Sequence, residues 1–229
     1  MARRLAELAK TIDHTLLDSD ASDEAIARLC EEAREHHFAS VCVLPGAVAF
    51  AADCLRGCDV KVTGVVGYPE GDAASRTKLD DAERCAADGS HELEFVLNSS
   101  AMLAGDFRLA RDELAAVVHA VGVRSVNTGR GHTLVKVALD CERLGSKRTQ
   151  LACSIVEGVG ADFVSTSVGA ASEASTLSAV ELLREHLSER IGVKASGVVA
   201  TAVEVDELIA AGAGRIGTTR AVDVMGVPA

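Results

Sequence analysis

The chain has 229 residues, about the length of one eight-unit α/β barrel, and a formal net charge of −11. This charge would repel a nucleic acid or an anionic membrane surface on average, and the aromatic share of 3% offers little surface for stacking bases. The seven cysteines are dispersed, and no apolar run reaches the roughly 18 residues of a membrane span. We therefore expect a single domain, 1–229, that is cytoplasmic and keeps its thiols reduced.

Eight short apolar runs have the composition of buried parallel strands. They are Ile12–Leu17, Ser40–Leu44, Lys61–Gly67, Glu92–Leu97, Leu134–Leu139, Asp162–Thr166, Gly192–Ala195 and Arg215–Thr218. Segments with helical spacing of apolar residues separate the strands, namely Asp23–Glu35, Val48–Leu55, Ser75–Asp88, Phe107–Ala120, Lys147–Gly158, Ser175–Leu187 and Ala202–Ala211. This alternation predicts a (β/α)8 barrel, the TIM-barrel architecture.

An open doubly wound sheet is the alternative fold. It is disfavoured because no glycine-rich dinucleotide fingerprint follows the first strand, where Asp13 and His14 lead into an acidic segment. The stretch Val123–Thr133 lacks periodicity and is rich in turn-forming residues, so we predict a loop before strand five. Only a short tail, Arg220–Ala229, follows the last strand.

Charged residues interrupt several of the apolar strands, and the active sites of such barrels lie at the carboxyl ends of the strands. Lys136 is on the strand next to that of Glu94, and we expect the two to pair because a carboxylate in a dry barrel is costly without a cation. Asp13 and Lys194 are the other candidates. A second ammonium nearby would lower the pKa of Lys194 and make it nucleophilic.

Small and polar residues close the last two strands. They are Gly197 and Val198 after strand seven, and Gly217, Thr218 and Thr219 after strand eight. The loops after these two strands of a barrel commonly bind phosphate through backbone amides, and Arg220 could add a positive charge. We predict a phosphate site here.

Three motifs of the first half, Ile12–Leu17 (IDHTLL), Ser40–Pro45 (SVCVLP) and Val65–Gly71 (VVGYPEG), resemble those of the deoxyribose-phosphate aldolase family. The resemblance covers nearly the whole chain. It continues through Glu92–Asn98 (ELEFVLN), Leu134–Val137 (LVKV), Gly192–Gly197 (GVKASG) and Gly214–Thr218 (GRIGT). It implies a barrel that forms dimers or tetramers and cleaves 2-deoxyribose 5-phosphate through a lysine Schiff base, with no metal or organic cofactor.

The resemblance places the Schiff-base lysine at position 165, where this chain has Ser165. A serine hydroxyl cannot form an iminium with a carbonyl, so the usual electron sink is missing. Asp13, Lys136 and Lys194 match the polar site residues of the family, while Glu94 stands where the family usually has aspartate.

The resemblance also implies substrate contacts at Cys42, Thr166 and Gly169. Val198 replaces a glycine of the family, and Glu173 enters a loop that is usually rich in glycine. We therefore expect a reshaped phosphate pocket.

Three functions are compatible with this pattern. The chain could be an aldolase-like lyase with its nucleophile moved to Lys194 or Lys136, an enzyme that performs non-covalent acid/base chemistry such as isomerisation, dehydration or cyclisation, or a silent homologue that binds a metabolite or a partner protein. Buried charges are expensive to keep, so we favour an enzyme. The expected ligand is a small phosphorylated sugar or a related aldehyde or ketone, and the expected assembly is a homodimer without nucleic-acid or membrane partners.

Overall fold

The computed structural model describes residues 2–128, 131–167 and 173–226. Within these residues, eight parallel strands close into a barrel in chain order, with the last strand paired to the first. They are β1 (Ile12–Leu16), β2 (Ser40–Val43), β3 (Lys61–Val66), β4 (Glu92–Val96), β5 (Leu134–Ala138), β6 (Phe163–Ser165), β7 (Gly192–Ser196) and β8 (Arg215–Thr218). The predicted barrel is confirmed, and the open sheet is wrong.

The helices of the described residues surround the strands. They are α1 (Ala2–Ala9), α2 (Asp23–His36), α3 (Val48–Cys54), α4 (Ser75–Asp88), α5 (Ser99–Ala104), α6 (Phe107–Thr128), α7 (Cys141–Val159), α8 (Glu173–His186), α9 (Ala202–Ala210) and α10 (Ala221–Val224), with a 3-10 helix at Pro45–Ala47. None of these helices combines the length and the apolar character needed to cross a membrane.

The predicted loop Val123–Thr133 is wrong over its first half, because α6 continues to Thr128. Strong turn formers begin only at Asn127, so nothing in the preceding residues stops the helix. Helix α7 also begins earlier than predicted, at Cys141, where the Asp140 carboxylate accepts a hydrogen bond from the backbone N–H of Arg143 (3.1 Å).

The position of Glu173 is a further correction, because this residue begins α8 rather than lying in a loop. The short helix α5 was not predicted. Asn98 caps its start and Gly105, with φ of 81°, ends it after six residues, which is too short for a clear helical period.

The two faces of each strand are both buried, but they meet different surroundings. Outward residues such as Leu93 and Val137 pack against the helices in the main apolar core. The alternate residues point into the barrel, where Cys42, Val65, Val96 and Ala138 form a small apolar cluster. The charged residues of the strands share this inner face, so the fold gathers them inside the barrel.

Candidate functional site

Three carboxylates and three cations meet inside the barrel. They are Asp13, Glu92, Glu94, Lys136, Lys194 and Arg215. Lys136 Nζ lies 2.6 Å from Asp13 Oδ2 and 2.7 Å from Glu92 Oε2. Arg215 bridges the same two carboxylates and lies 3.0 Å from Glu92 Oε2. We call these six residues the barrel ion network.

Lys194 forms the upper part of the network. Its Nζ lies 2.5 Å from Glu94 Oε2 and 3.3 Å from Asp13 Oδ2, and it makes a weak contact of 3.7 Å with Cys42 Sγ. The predicted pair of Glu94 with Lys136 is therefore wrong. The two residues are register neighbours on β4 and β5, but the long Lys136 side chain reaches Asp13 and Glu92 instead.

The network favours the charged forms of Asp13 and Lys194. Burial raises the pKa of Asp13, but Lys136, Arg215 and Lys194 outweigh burial and hold that pKa well below its usual range. Burial lowers the pKa of Lys194, but its neighbours Cys42, Glu94 and Asp13 raise it above the ordinary value. The expectation of a lowered lysine pKa is therefore wrong, because carboxylates rather than ammonium groups are the nearest charges.

Ser165 is fully buried at the end of β6, in register with Lys194 of β7. Its Oγ donates to the backbone carbonyl of Ser167 (3.0 Å) and lies 2.8 Å from Ser196 Oγ. The hydroxyl thus fastens the end of β6 to β7, and among the described residues its partners include no base that would activate it as a nucleophile.

A cavity of about 330 Å³ opens above the network at the carboxyl ends of the strands. Glu94 and Lys194 form its floor, and Thr15, Tyr68 and Ser196 contribute to its walls. The volume suits a small metabolite. Polar groups of different chemistry therefore converge on one concave site.

One oxygen of Glu94 has no hydrogen-bond partner among the residues that the structure describes. Oε2 is taken by Lys194, but the buried Oε1 has no hydrogen bond within the structure. A buried carboxylate oxygen without a donor is costly. Because Glu94 lines the cavity, a hydroxyl or another donor of a bound molecule would satisfy Oε1 there.

The residues of the predicted phosphate site line the same cavity. They are Gly197, Val198, Gly217, Thr218 and Thr219. The hydroxyl of Thr218 donates to the carbonyl of Val199 (2.6 Å), so it ties β8 to β7. Arg220 does not contribute the predicted charge to the cavity, because its guanidinium pairs with Asp223 (2.7 Å).

The three substrate contacts implied by the resemblance have different positions. Cys42 lies under Lys194, and burial raises the pKa of its thiol. The hydroxyl of Thr166 accepts from the backbone N–H of Ser196 (3.0 Å), so this residue supports the site from below rather than lining the cavity. Gly169 lies outside the described residues.

Glu92, Arg215 and Tyr68 were missed as site residues. The strict alternation of Glu92 with Glu94 along β4 was a usable signal for the first of these, because both must face the same side. Arg215 begins a strand, where an arginine is more often exposed, so its position inside the barrel could not be expected from local sequence.

A larger cavity of about 710 Å³ lies at the opposite end of the barrel, where Lys61, His91 and Leu134 surround the starts of β3, β4 and β5. Of the ion network, it contacts only Glu92. The smaller cavity is the better candidate site because Glu94, Lys194 and the ends of β7 and β8 meet there.

Comparison with protein families gives one match over nearly the full length. Residues 8–227 match the model of the DeoC/LacD family of aldolases. A deoxyribose-phosphate aldolase of Caldanaerobacter subterraneus subsp. tengcongensis is 39% identical over 221 residues, covering 96% of this chain and 93% of that protein. A deoxyribose-phosphate aldolase of Streptococcus uberis is 38% identical over 219 residues, covering 96% of each chain.

A solved structure shares the architecture. The deoxyribose phosphate aldolase of Aeropyrum pernix superposes with a TM-score of 0.83 at 26% identity, covering 96% of this chain and 91% of that one. That protein is described as a tetramer.

Proposed function

Because this chain belongs to the DeoC/LacD family of aldolases, we propose that it is an aldolase-like enzyme that acts on a small phosphorylated hydroxy-aldehyde or hydroxy-ketone without forming a lysine imine. The proposal rests on the side chains at positions 165 and 194. Position 165 holds a buried serine, and Lys194 is held as an ammonium by Glu94 and Asp13. An ammonium has no lone pair with which to attack a carbonyl.

The same ammonium suits a different task. Lys194 lines the cavity, and its contact with Cys42 is weak, so it can donate a hydrogen bond to a carbonyl oxygen of the ligand. A fixed positive charge beside that oxygen stabilises the negative charge that develops on it when a proton leaves the neighbouring carbon. Lys194 is thus the electrostatic group of the proposed reaction.

Glu94 is the proposed base. Its free Oε1 accepts the proton from the carbon next to the carbonyl, the electron pair of the broken C–H bond moves toward the carbonyl, and negative charge collects on the carbonyl oxygen beside Lys194. In a substrate with a hydroxyl on the deprotonated carbon, the hydroxyl proton moves to the former carbonyl oxygen and Glu94 returns its proton to the former carbonyl carbon, which isomerises the substrate. In a substrate with a hydroxyl on the next carbon, the returning electron pair expels that hydroxyl, which takes the proton from Glu94 and leaves as water, so the substrate is dehydrated. This step supports the non-covalent alternative over a nucleophile moved to Lys194 or Lys136.

Deuterium exchange tests this function. The protein is incubated in D₂O with 2-deoxyribose 5-phosphate, glyceraldehyde 3-phosphate or dihydroxyacetone phosphate, and the loss of C–H signals is followed by NMR. We expect catalysed exchange with at least one of them, reduced by roughly 10²-fold or more in Glu94→Gln and Lys194→Met. Asp53→Asn, on the surface, serves as the control. Binding of these compounds without exchange would favour the silent homologue.

We propose that the phosphate of the substrate is held by the backbone at the ends of β7 and β8, and that the enzyme works in the cytoplasm as a homodimer. Light scattering coupled to size-exclusion chromatography measures the assembly directly. A monomer would contradict the assembly proposed here.

A further inference from the structure

A second buried ion pair lies outside the barrel, in the helix layer. Lys78 of α4 and Glu113 of α6 are both buried, and Lys78 Nζ lies 2.6 Å from Glu113 Oε2. Ser75 Oγ donates to Glu113 Oε1 (2.6 Å), and the Lys78 ammonium lies 5.0 Å from the ring centroid of Phe95. We call Lys78 and Glu113 the outer pair. The proposed reaction makes no use of it.

The outer pair holds a loop of the candidate site. Lys78 Nζ also donates to the backbone carbonyl of Gly71 (2.6 Å), the last residue of the segment 67–71 that follows β3. The same segment is closed by a hydrogen bond from Gly71 N–H to the Gly67 carbonyl (2.8 Å). Because this segment carries Tyr68, we call it the Tyr68 loop.

The loop sits tightly on its surroundings. A Cβ at Gly71 would lie 2.6 Å from the carbonyl oxygen of Val96 and 2.5 Å from that of Leu97, and one at Gly67 would lie 3.1 Å from Lys78 Cδ. The backbone therefore packs against the end of β4 on one side and the stem of Lys78 on another. Tyr68 itself stays 38% exposed and lines the cavity.

We propose that the outer pair is a positioning device for the ligand cavity. The Lys78 ammonium fastens the Tyr68 loop through Gly71, and the contact with Glu113 orients that ammonium, so that Tyr68 forms a fixed wall of the cavity. Lys78 and Glu113 are positioning residues that act on the ligand through Tyr68. The effect on ligand binding rests on the proposed function, whereas the effect on the loop does not.

The composition supplies a direct probe of the loop. Tyr68 is the only tyrosine and the chain has no tryptophan, so the intrinsic tyrosine fluorescence reports on this loop alone. Quenching by acrylamide measures how accessible the ring is in the ligand-free protein. The test variant is Lys78→Met/Glu113→Leu, which removes both charges and so leaves neither one buried alone.

We expect the acrylamide quenching constant of the test variant to rise roughly twofold while its far-UV circular dichroism stays unchanged, because the loop loses its hydrogen bond to Lys78 while the barrel strands keep their pairing. The matched control is Arg76→Gln/Asp80→Asn, which removes an exposed pair from the same helix and should leave quenching unchanged. An unchanged quenching constant in the folded test variant would overturn the proposal. Should the test variant not fold, Glu113→Gln, which keeps the shape of the side chain, decides by the same readout.

A binding cycle then tests the coupling. We expect affinity for 2-deoxyribose 5-phosphate, measured by calorimetry, to fall roughly tenfold in the test variant, with no further fall when the same changes are added to Tyr68→Ala. Equal losses in both backgrounds would mean that the outer pair does not act through Tyr68. If the unaltered protein binds neither this probe nor glyceraldehyde 3-phosphate nor dihydroxyacetone phosphate, the proposed substrate class fails, and the quenching result alone decides the role of the outer pair.

Discussion

Lys194 and Glu94 form a buried ion pair in which each side chain offsets the buried charge of the other. Each is almost completely buried, and each is the other's nearest charged partner. Removing one of them leaves the other as an uncompensated charge in the barrel, and such a loss commonly costs about 3–5 kcal/mol. The pair is therefore a stability element as well as the proposed catalytic pair.

The first prediction follows from this dependence. Lys194→Met should lower the free energy of unfolding by about 3–5 kcal/mol, whereas Lys194→Met/Glu94→Gln should lose clearly less, because the second change removes the stranded charge. Urea denaturation of the two variants and the parent measures both losses. Equal losses would show that Glu94 is not held by Lys194.

The sequence predicted which charged residues lie in the barrel better than it predicted which of them form ion pairs. Asp13, Glu94, Lys136 and Lys194 were all expected inside the barrel, and the structure brings them together. Their pairing could not be predicted, because long side chains reach across the barrel to strands that are distant in sequence. Lys194 and Glu94 lie on β7 and β4, and only the closed geometry brings them within 2.5 Å.

At the scale of elements, the packing of β8 against β7 decides the path of the Lys194 side chain. A Cβ at Gly217 would lie 2.6 Å from Lys194 Cε and 2.8 Å from Ser196 Oγ. The missing side chain of Gly217 is what leaves room for the lysine arm to reach Glu94.

We predict that Gly217→Ala destabilises the protein by about 1–3 kcal/mol and reduces deuterium exchange, because the new methyl group displaces the lysine arm. Gly214→Ala, directly before β8, is the matched control, because a Cβ at this position would lie 3.8 Å or more from its nearest neighbours. Thermal unfolding and the exchange assay measure the two effects. Deuterium exchange at the rate of the unaltered protein in Gly217→Ala would show that catalysis does not depend on the space that Gly217 leaves for the Lys194 side chain.

The order of the elements was predictable because the apolar period changes from two to about 3.6 at each strand-to-helix transition. The residues at which the helices begin and end were less predictable. Helix α6 continues to Thr128, past the start of the segment that lacks apolar periodicity, and α7 continues across a kink at Gly145 (φ 67°) that local spacing does not reveal. Tertiary packing overrides local preference at such boundaries.

At the scale of the whole molecule, the barrel ion network links stability to pH. The pKa values of Asp13 and Glu92 are lowered in the folded state: burial opposes the shift, and the surrounding cations, Lys136 above all, cause it. The stabilisation is therefore complete above the unfolded pKa of about 4 and is lost as pH falls through the lowered folded values. The pKa of Lys136 is raised, so this residue affects stability at alkaline pH. The stabilisation that its charge provides is lost above roughly pH 10.

We predict that the difference in unfolding free energy between the parent and Asp13→Asn stays constant from about pH 5 to 9 and shrinks below about pH 4. The same difference should change little with added salt, because buried charges are weakly screened. Urea denaturation across this pH range provides the measurement. A difference that grows as the pH is lowered from 5 to 3 would have the wrong sign for a carboxyl whose folded pKa is lowered.

The central claim is that this barrel works without an imine, and reductive trapping tests it most directly. The unaltered protein and Ser165→Lys are each treated with acetaldehyde and sodium borohydride, and their intact masses are compared. After subtraction of the labelling of exposed amines, mapped by peptide digestion, we predict no reduced adduct at the barrel lysines of the unaltered chain and one at position 165 of Ser165→Lys, where the Lys194 ammonium would lower the pKa of the new amine. A reduced adduct mapped to Lys194 or Lys136 of the unaltered chain would contradict the account.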